Sequence, residues 1–220
     1  MLMWRPWLGF LLVAMIALAG ADRSMAAEAK PEPARPTILV VGDSLSAGYG
    51  IDVSAGWVAL LQRRLGQEGY GYRVVNASAS GETTGGARAR FARLLEIHRP
   101  RIVILELGGN DGLRALPLAQ VRANLAAMMD QARDAGAEVL LVGMQIPPNY
   151  GAEYADRFRD MYGDLAREHG VPLVEFFLEG VALDPSLMLD DGIHPNAAAQ
   201  PTLLENVWPR LRAMLQATPP

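Results

Sequence analysis

The sequence predicts an α/β protein in three layers, an α/β/α sandwich with a five-stranded parallel sheet between two layers of helices. Predicted strands and helices alternate five times along the chain, and the loops that connect them are short. The first strand, at residues 38–41, consists of four apolar residues with no polar alternation, which is typical of a strand buried on both faces. Both observations favour a parallel sheet covered by helices on each side.

The four later strands are predicted from short apolar runs that follow a glycine or a proline. They lie at residues 72–76, 102–107, 139–144 and 172–177. The first of these runs is predicted to be a short buried strand. The run at 102–107 leads into a polar segment at residues 108–112. This segment is predicted to be a loop, because it is too rich in glycine to form a stable helix.

Helices are predicted where apolar residues recur at intervals of three and four. In the helix at 57–69, for example, valine and leucine recur at these intervals. The other predicted helices run from about 83 to 98, 117 to 136, 153 to 169 and 196 to 216. Pro117 is placed in the first turn of its helix, and Pro201 and Pro209 are placed near the start of the last helix and at a kink.

The composition of the 220 residues is that of one globular domain with a full hydrophobic core. Half of the residues are hydrophobic and a fifth are charged. The net charge is −4 and Lys and Arg form no run, which argues against nucleic-acid binding. The chain contains no cysteine, so it forms no disulfide and its stability has to come from packing.

The N-terminal segment has the features of a secretory signal peptide, because Arg5 precedes an apolar run at residues 7–19 that ends in small residues. A permanent membrane anchor is the alternative, but this run is short for a membrane span of about 20 residues. Cleavage would leave no stable membrane span and would place the protein in the periplasm or outside the cell. The predicted organisation is a signal peptide at 1–27, cleaved after Ala21, Ala26 or Ala27, a flexible lead at 28–36 and one folded domain at 37–218.

Polar side chains follow the predicted strands, at the edge of the sheet where parallel α/β proteins bind ligands. Ser44 comes directly after the first strand, where Gly42 allows a tight turn. Asp43 and Ser44 could instead cap the next helix, since both are good N-cap residues. Asp191 and His194 follow the last strand, and their spacing of three lets the carboxylate bind Nδ1 of the imidazole while Nε2 faces a serine. The three would form a Ser-His-Asp triad.

A serine that attacks a carbonyl also needs hydrogen-bond donors for the oxyanion that forms. The candidates are the backbone N–H groups of Ser44 and Gly81 and the side-chain amide of Asn110. His98 and His169 lie near the ends of predicted helices, where structural roles are favoured. The three histidines are too scattered to form a metal cluster, and no nucleotide-binding motif follows the first strand, so neither a metal nor a nucleotide is expected.

Four sequence blocks, in this order, resemble those of the SGNH, or GDSL, hydrolase family. They are Gly-Asp-Ser-Leu-Ser at 42–46, Ser-Gly-Glu-Thr at 80–83, Gly-Gly-Asn-Asp at 108–111 and Asp-Gly-Ile-His at 191–194. Within the family, the runs at 107–114, 149–151 and 190–196 are most similar to bacterial acyl-CoA thioesterases, lysophospholipases and arylesterases. The resemblance implies a flavodoxin-like fold with strand order 2-1-3-4-5 and no cofactor. It also implies Ser44 as nucleophile, His194 as base, Asp191 as the group that orients the base, and Ser44, Gly81 and Asn110 as the oxyanion hole.

The resemblance predicts a serine hydrolase that cleaves carboxylic esters and acyl thioesters through an acyl-enzyme, with small acyl esters or thioesters as its substrates. An apolar wall beside Ser44 would hold the acyl chain. Its candidate residues, each of which could equally be ordinary packing, are Leu113, Leu116, Ile146, Pro147 and Tyr150. Two alternatives remain open, an esterase of the same family for acetylated polysaccharides and a non-catalytic module that binds an apolar ligand.

Overall fold

The computed structural model describes residues 35–216. The predicted signal peptide at 1–27 and residues 28–34 of the predicted lead lie outside the described residues, as do residues 217 and 218. Within 35–216, no helix has both the length and the apolar character needed to cross a membrane.

Strands and helices alternate along the described chain. The strands are β1 (Thr37–Gly42), β2 (Arg73–Asn76), β3 (Ile102–Glu106), β4 (Glu138–Val142) and β5 (Leu173–Val174). The α-helices are α1 (Ser44–Ala47), α2 (Trp57–Gln67), α3 (Thr84–His98), α4 (Gly109–Leu113), α5 (Leu118–Asp134), α6 (Ala152–His169) and α7 (Gln200–Gln216). Short 3₁₀ turns lie at Val53–Ala55, Pro148–Tyr150, Pro185–Leu187 and Ala197–Ala199.

The five strands form one sheet in the order β2-β1-β3-β4-β5, and every neighbouring pair is parallel. Helix α2 packs against α7, whereas α5 packs against both α3 and α6. Right-handed crossovers between parallel strands place these two groups of helices on opposite faces of the sheet. The predicted three-layer fold and the strand order 2-1-3-4-5 are therefore confirmed.

The core lies on both sides of the three central strands. Nearly every residue of β1, β3 and β4 is buried, because helices cover both faces of the sheet there. Trp57, Phe91 and Phe158 are among the largest side chains that the helices contribute to this core. Strand β2 is only half-buried, so the predicted burial is wrong for residues 73–76, whereas Tyr72 just before the strand is buried as predicted. Its position at the edge of the sheet, where only β1 pairs with it, leaves it open to solvent.

The glycine-rich segment after β3 is helical, so the prediction of a non-helical loop at 108–112 is wrong. Contacts from outside helix α4 compensate for its low helix propensity. Asp111 accepts hydrogen bonds from both the backbone N–H and the hydroxyl of Thr84. Gly112 packs so tightly that a Cβ there would lie 2.6 Å from Ile146. Glycine is thus required in α4 by packing, although it weakens the helix itself.

Most other boundaries agree with the predicted ones to within a few residues. Strand β5 is the exception, because its ladder with β4 covers only Leu173 and Val174 rather than 172–177. Pro117 is the N-cap of α5 and does not enter the helix. Pro209 lies inside α7, and Pro201 is the second residue of that helix.

Candidate active site

The carboxyl end of β1 leads directly into α1, the one-turn helix that carries Ser44. Asp43 is the N-cap of α1, and its Oδ1 accepts a 3.0 Å hydrogen bond from the backbone N–H of Leu45. Ser44 is the first residue of α1, so its own backbone N–H has no acceptor within the helix. Asp43 therefore caps the helix, while the Ser44 side chain is free for another partner.

That partner is His194, and the two residues belong to one chain of hydrogen bonds. His194 Nε2 lies 2.9 Å from Ser44 Oγ, although the two residues are 150 positions apart in the sequence. On the other side of the ring, His194 Nδ1 lies 2.6 Å from Asp191 Oδ2. The structure thus brings together the three residues proposed as a triad, and it is Asp191, not the neighbouring Asp190, that contacts the imidazole.

The Asp191 turn fixes which nitrogen of His194 carries a proton. Asp191 Oδ1 accepts hydrogen bonds from the backbone N–H groups of His194 (3.0 Å) and Ile193 (2.9 Å). The backbone bond from His194, its side-chain bond and the bond from Ile193 lower the pKa of Asp191 to about 2. Asp191 is therefore a carboxylate at neutral pH and only accepts hydrogen bonds, so the shared proton lies on His194 Nδ1. Nε2 is left as an acceptor for the Ser44 hydroxyl.

Tyr49 covers one face of the His194 ring. The two ring centroids are 4.4 Å apart with an angle of 38° between the planes. Tyr49 follows α1, and its backbone N–H donates to the Ser44 carbonyl oxygen at 3.1 Å. Its side chain remains 51% exposed. Tyr49 therefore joins the turn of the proposed nucleophile to the proposed base and lies at the mouth of the site.

The Asn110 amide is held by Asp43. Asn110 Nδ2 donates a 3.2 Å hydrogen bond to Asp43 Oδ2, which leaves the second hydrogen of the amide for another acceptor. Asp43 is buried, and this burial raises its pKa to about 6, although the bonds from Leu45 and Asn110 lower it. Above that pH, Asp43 is a carboxylate that orients both the first turn of α1 and the Asn110 side chain.

Gly81 lies in the loop that follows β2, at the same edge of the sheet. The loop is attached to the end of β1 by a 3.1 Å hydrogen bond from the Ala79 N–H to the Gly42 carbonyl oxygen. Arg114 Nη2 lies 3.4 Å from the Gly81 carbonyl oxygen. None of the hydrogen bonds among residues 35–216 uses the N–H of Gly81. This N–H therefore remains available as a donor for a ligand.

Asp111 connects the Gly81 loop with the segment that carries Asn110. Its Oδ1 accepts a 2.6 Å bond from Thr84 Oγ1, and its Oδ2 accepts a 2.9 Å bond from the Thr84 backbone N–H. Asn124 Nδ2 in turn donates to Thr84 Oγ1 at 3.2 Å. Thr84 begins α3, just after the Gly81 loop, and Asp111 follows Asn110. The buried network therefore sets the relative position of the two proposed oxyanion donors.

The residues predicted to form a substrate wall differ in exposure. Ile146 is buried and packs in the core, and Leu113 and Leu116 are half-buried. Pro147 and Tyr150 are exposed. A separate cavity of about 1030 Å³ lies between α3 and α5, and none of its lining residues belongs to the Ser44 hydrogen-bond chain. Ile146 is therefore mainly a core residue, whereas the side chains of Pro147 and Tyr150 are accessible to a ligand.

Three residues around the site are not identified by the sequence patterns. Tyr49 and Thr84 give no signal, because their roles depend on contacts with distant segments. Glu106 differs from them, because a charged residue within the apolar run of β3 is a sequence signal that could have identified it. In the part of the chain that the structure describes, no group of three or more His, Asp or Glu side chains could hold a metal ion.

Comparisons with known proteins show which proteins this chain is similar to. The model of the GDSL-like lipase/acylhydrolase family matches residues 40–200, which include all three residues of the hydrogen-bond chain. Esterase TesA of Pseudomonas aeruginosa is 56% identical over 184 residues, which cover 84% of this chain and 92% of the relative. Thioesterase 1/protease 1/lysophospholipase L1 of Escherichia coli K12 is 44% identical over 182 residues, which cover 83% of this chain and 86% of the relative.

A solved structure shows the same fold. The crystal structure of TesA aligns with a TM-score of 0.79 at 57% sequence identity and covers 81% of this chain and 99% of the solved chain. The likeness extends over nearly all of the described residues, so the two chains share one fold.

Proposed function

The chain belongs to the GDSL-like lipase/acylhydrolase, or SGNH hydrolase, family, and we propose that it hydrolyses carboxylic esters and acyl thioesters with Ser44 as the nucleophile. The observation that carries this assignment is the continuous hydrogen-bond chain from Ser44 through His194 to Asp191. The Asn110 amide, held by Asp43 next to Ser44, supplies a donor that such a reaction needs. The relatives named as an esterase and a thioesterase support both ester classes.

In the acylation step, Ser44 Oγ attacks the carbonyl carbon of the substrate while His194 Nε2 takes the hydroxyl proton. Asp191 stabilises the imidazolium that forms. The oxyanion accepts hydrogen bonds from the N–H groups of Ser44 and Gly81 and from the Asn110 amide. Each such donor is typically worth about 2.7–4 kcal/mol of transition-state stabilisation. The bond to the leaving group then breaks, His194 returns the proton to the departing alcohol or thiol, and the acyl group stays on Ser44.

In the deacylation step, a water molecule attacks the acyl carbon of this intermediate. His194 Nε2 takes a proton from the water, and the same donors bind the second oxyanion. The bond between the acyl carbon and Ser44 Oγ breaks, and Oγ regains its proton from His194. The products are a carboxylic acid and free enzyme, so one imidazole serves as base and acid in both steps.

Apolar surface at the mouth of the site favours substrates with an acyl chain. Tyr49 lies against His194, and Ile193, which precedes His194, is 49% exposed. Exposed apolar side chains next to reacting groups are suited to bind hydrocarbon. We therefore include fatty acyl thioesters, aryl esters and lysophospholipids among the proposed substrates, and lysophospholipase also forms part of the name of the Escherichia coli relative.

The proposed place of action is the periplasm or the cell exterior. Arg5 followed by an apolar run that ends in small residues, with alanines at 21, 26 and 27, supports export with cleavage of a signal peptide. N-terminal sequencing of the protein from cell fractions should give a chain that starts after Ala21, Ala26 or Ala27 in the periplasmic or secreted fraction. A chain that still begins at Met1 in the cytoplasm would contradict this placement.

The proposed reaction is tested by hydrolysis of a matched series of substrates by the purified protein. p-Nitrophenyl esters and acyl thioesters with two to sixteen acyl carbons vary chain length and leaving atom independently. We expect turnover of both classes, and we expect Ser44→Ala to abolish it while the variant unfolds at the same urea concentration as the wild type. Turnover retained by Ser44→Ala, or activity confined to acetylated xylan, would overturn the proposal.

A further inference from the structure

Glu106 is a buried carboxyl group to which the proposed reaction assigns no role. It is the last residue of β3, and no part of its side chain is exposed. Within residues 35–216, no Lys, Arg or His lies within ion-pair distance of it. Its Oε1 also has no hydrogen-bond partner among the described residues. A carboxyl group without a cation or full hydrogen bonding is costly to bury, so its position directly beneath the Ser44 turn requires an explanation.

The contacts of Glu106 are with the residues on either side of the proposed nucleophile. Its Oε2 accepts a 2.6 Å hydrogen bond from the hydroxyl of Ser46 and lies 3.4 Å from the backbone N–H of Asp43. Ser46 also accepts a 3.1 Å hydrogen bond from Trp57 Nε1. One carboxyl group therefore holds the residue before Ser44 and the residue two positions after it.

The carboxyl group of Glu106 has room beneath α1 because Gly42 has no side chain. In the sheet, Gly42 of β1 is the register partner of Glu106 on β3. A Cβ on Gly42 would lie 2.6 Å from Glu106 Oε2 and 2.8 Å from the side chain of Ser46. The glycine that precedes Asp43 thus lets the Glu106 carboxyl group reach the underside of α1.

We propose that Glu106 is a positioning residue for the reaction, whose carboxyl group anchors the Ser44 turn through Ser46 and Asp43 and so sets where Ser44 and Asn110 lie relative to each other. This inference rests on the proposed function, because it assigns Glu106 to the same site. Asp43 is the link to Asn110, since its Oδ2 accepts from the Asn110 amide. Glu106 itself touches neither the reacting hydroxyl nor the substrate position.

The charge state of Glu106 agrees with an anchoring role. Burial and the neighbouring Asp43 carboxylate raise the pKa of Glu106 well above its ordinary value. The raised pKa favours the neutral form of the carboxyl group, which adds no negative charge next to a developing oxyanion. Glutamine is therefore a matched replacement, because its amide oxygen can accept the bond from Ser46 without a charge. Leucine fills a similar volume but can accept no hydrogen bond.

The test compares Glu106→Gln and Glu106→Leu with the wild type. The readouts are kcat and KM for a p-nitrophenyl ester and the rate at which a fluorophosphonate labels Ser44, measured well below the unfolding midpoint of each variant. A misplacement of about 1 Å can cost on the order of 100-fold in rate. We therefore expect kcat and labelling rate to fall about 10- to 100-fold in Glu106→Leu, with KM within about twofold, and to stay within about threefold in Glu106→Gln.

A purely structural role predicts a different pattern, in which Glu106→Leu lowers stability but the folded fraction labels at the wild-type rate. That result, or an equal loss of kcat in Glu106→Gln and Glu106→Leu, would overturn the inference. If Glu106→Leu does not fold, Ser46→Ala removes the same anchoring bond, and normal labelling in that variant would also overturn it. Failure of the wild type to hydrolyse any ester would instead count against the proposed function, so the two failures are distinguishable.

Discussion

Asp43→Asn tests the electrostatics beneath the site, because it removes a buried charge while it changes the side-chain shape little. Burial raises the pKa of Asp43 to about 6, so the folded state binds a proton more tightly than the unfolded state does. For a carboxyl group with a raised pKa, stability falls as pH increases from about 4 to about 6 and stays at the lower level above that. The pKa of Asp43 rises from its ordinary value of 3.8 to about 6, and each pKa unit corresponds to about 1.36 kcal/mol. The free energy of unfolding therefore falls by about 3 kcal/mol over this pH range.

The substitution also breaks one hydrogen bond. The asparagine oxygen can still accept from the Leu45 N–H, since Asn caps helices as well as Asp does, but its NH₂ group would then face the NH₂ group of Asn110. A lost hydrogen bond costs about 1 kcal/mol. Asp43→Asn should therefore be more stable than the wild type by about 2 kcal/mol at pH 8, and this advantage should disappear by about pH 4. Since Asn110 loses its support, kcat should fall by about 100-fold.

The assay is urea unfolding of both proteins at pH 8 and pH 4, together with kcat for a p-nitrophenyl ester at pH 8. Asp190→Asn is the matched control, because Asp190 is exposed and lies in the same polar turn as the triad carboxylate, and it should change neither quantity. No gain in the stability of Asp43→Asn at pH 8 relative to pH 4, or a wild-type kcat in this variant, would refute the assigned charge of Asp43 and its support of Asn110.

Further substitutions test the groups around Ser44 and His194. Asp191→Asn places an NH₂ donor opposite Nδ1, which moves the ring proton to Nε2, so kcat should fall by about 10⁴-fold with little change in KM; a fall below tenfold in steady-state kinetics would contradict the assigned tautomer. Asn110→Ala removes one oxyanion donor and should lower kcat by about 10²–10³-fold, whereas normal kcat would exclude Asn110 from the oxyanion hole. Tyr49→Leu removes a ring that stabilises the imidazolium, and an interaction of about 0.5–1 kcal/mol corresponds to a fall in kcat of about two- to fivefold. Tyr49→Phe keeps the ring and should retain kcat, and equal losses in the two variants would point to the hydroxyl instead.

The sequence was sufficient to predict the parallel sheet and the residues that meet at its edge. Apolar runs without alternation identify strands buried on both faces, and the carboxyl ends of parallel strands share one edge of the sheet. Ser44 and His194 could therefore be placed together although 150 positions separate them. The spacing of Asp191 and His194 was informative because it forms a local turn.

The features that the sequence did not predict depend on contacts between distant segments. Helix α4 forms in a glycine-rich segment because Thr84 binds Asp111 and because Ile146 packs on Gly112. The position of Glu106 beneath the Ser44 turn follows from the pairing of β1 with β3, which no local pattern encodes. Local periodicity reports burial, and it carries no information about which buried groups meet.

The most direct test of the account is to locate the residue that forms a covalent bond with an active-site reagent. After reaction of the purified protein with a fluorophosphonate, mass spectrometry of proteolytic peptides should show one phosphonyl group on Ser44, and His194→Ala should slow its attachment severely. An adduct on another residue, or attachment at the normal rate without the imidazole, would contradict the claim that Ser44 is the nucleophile activated by His194.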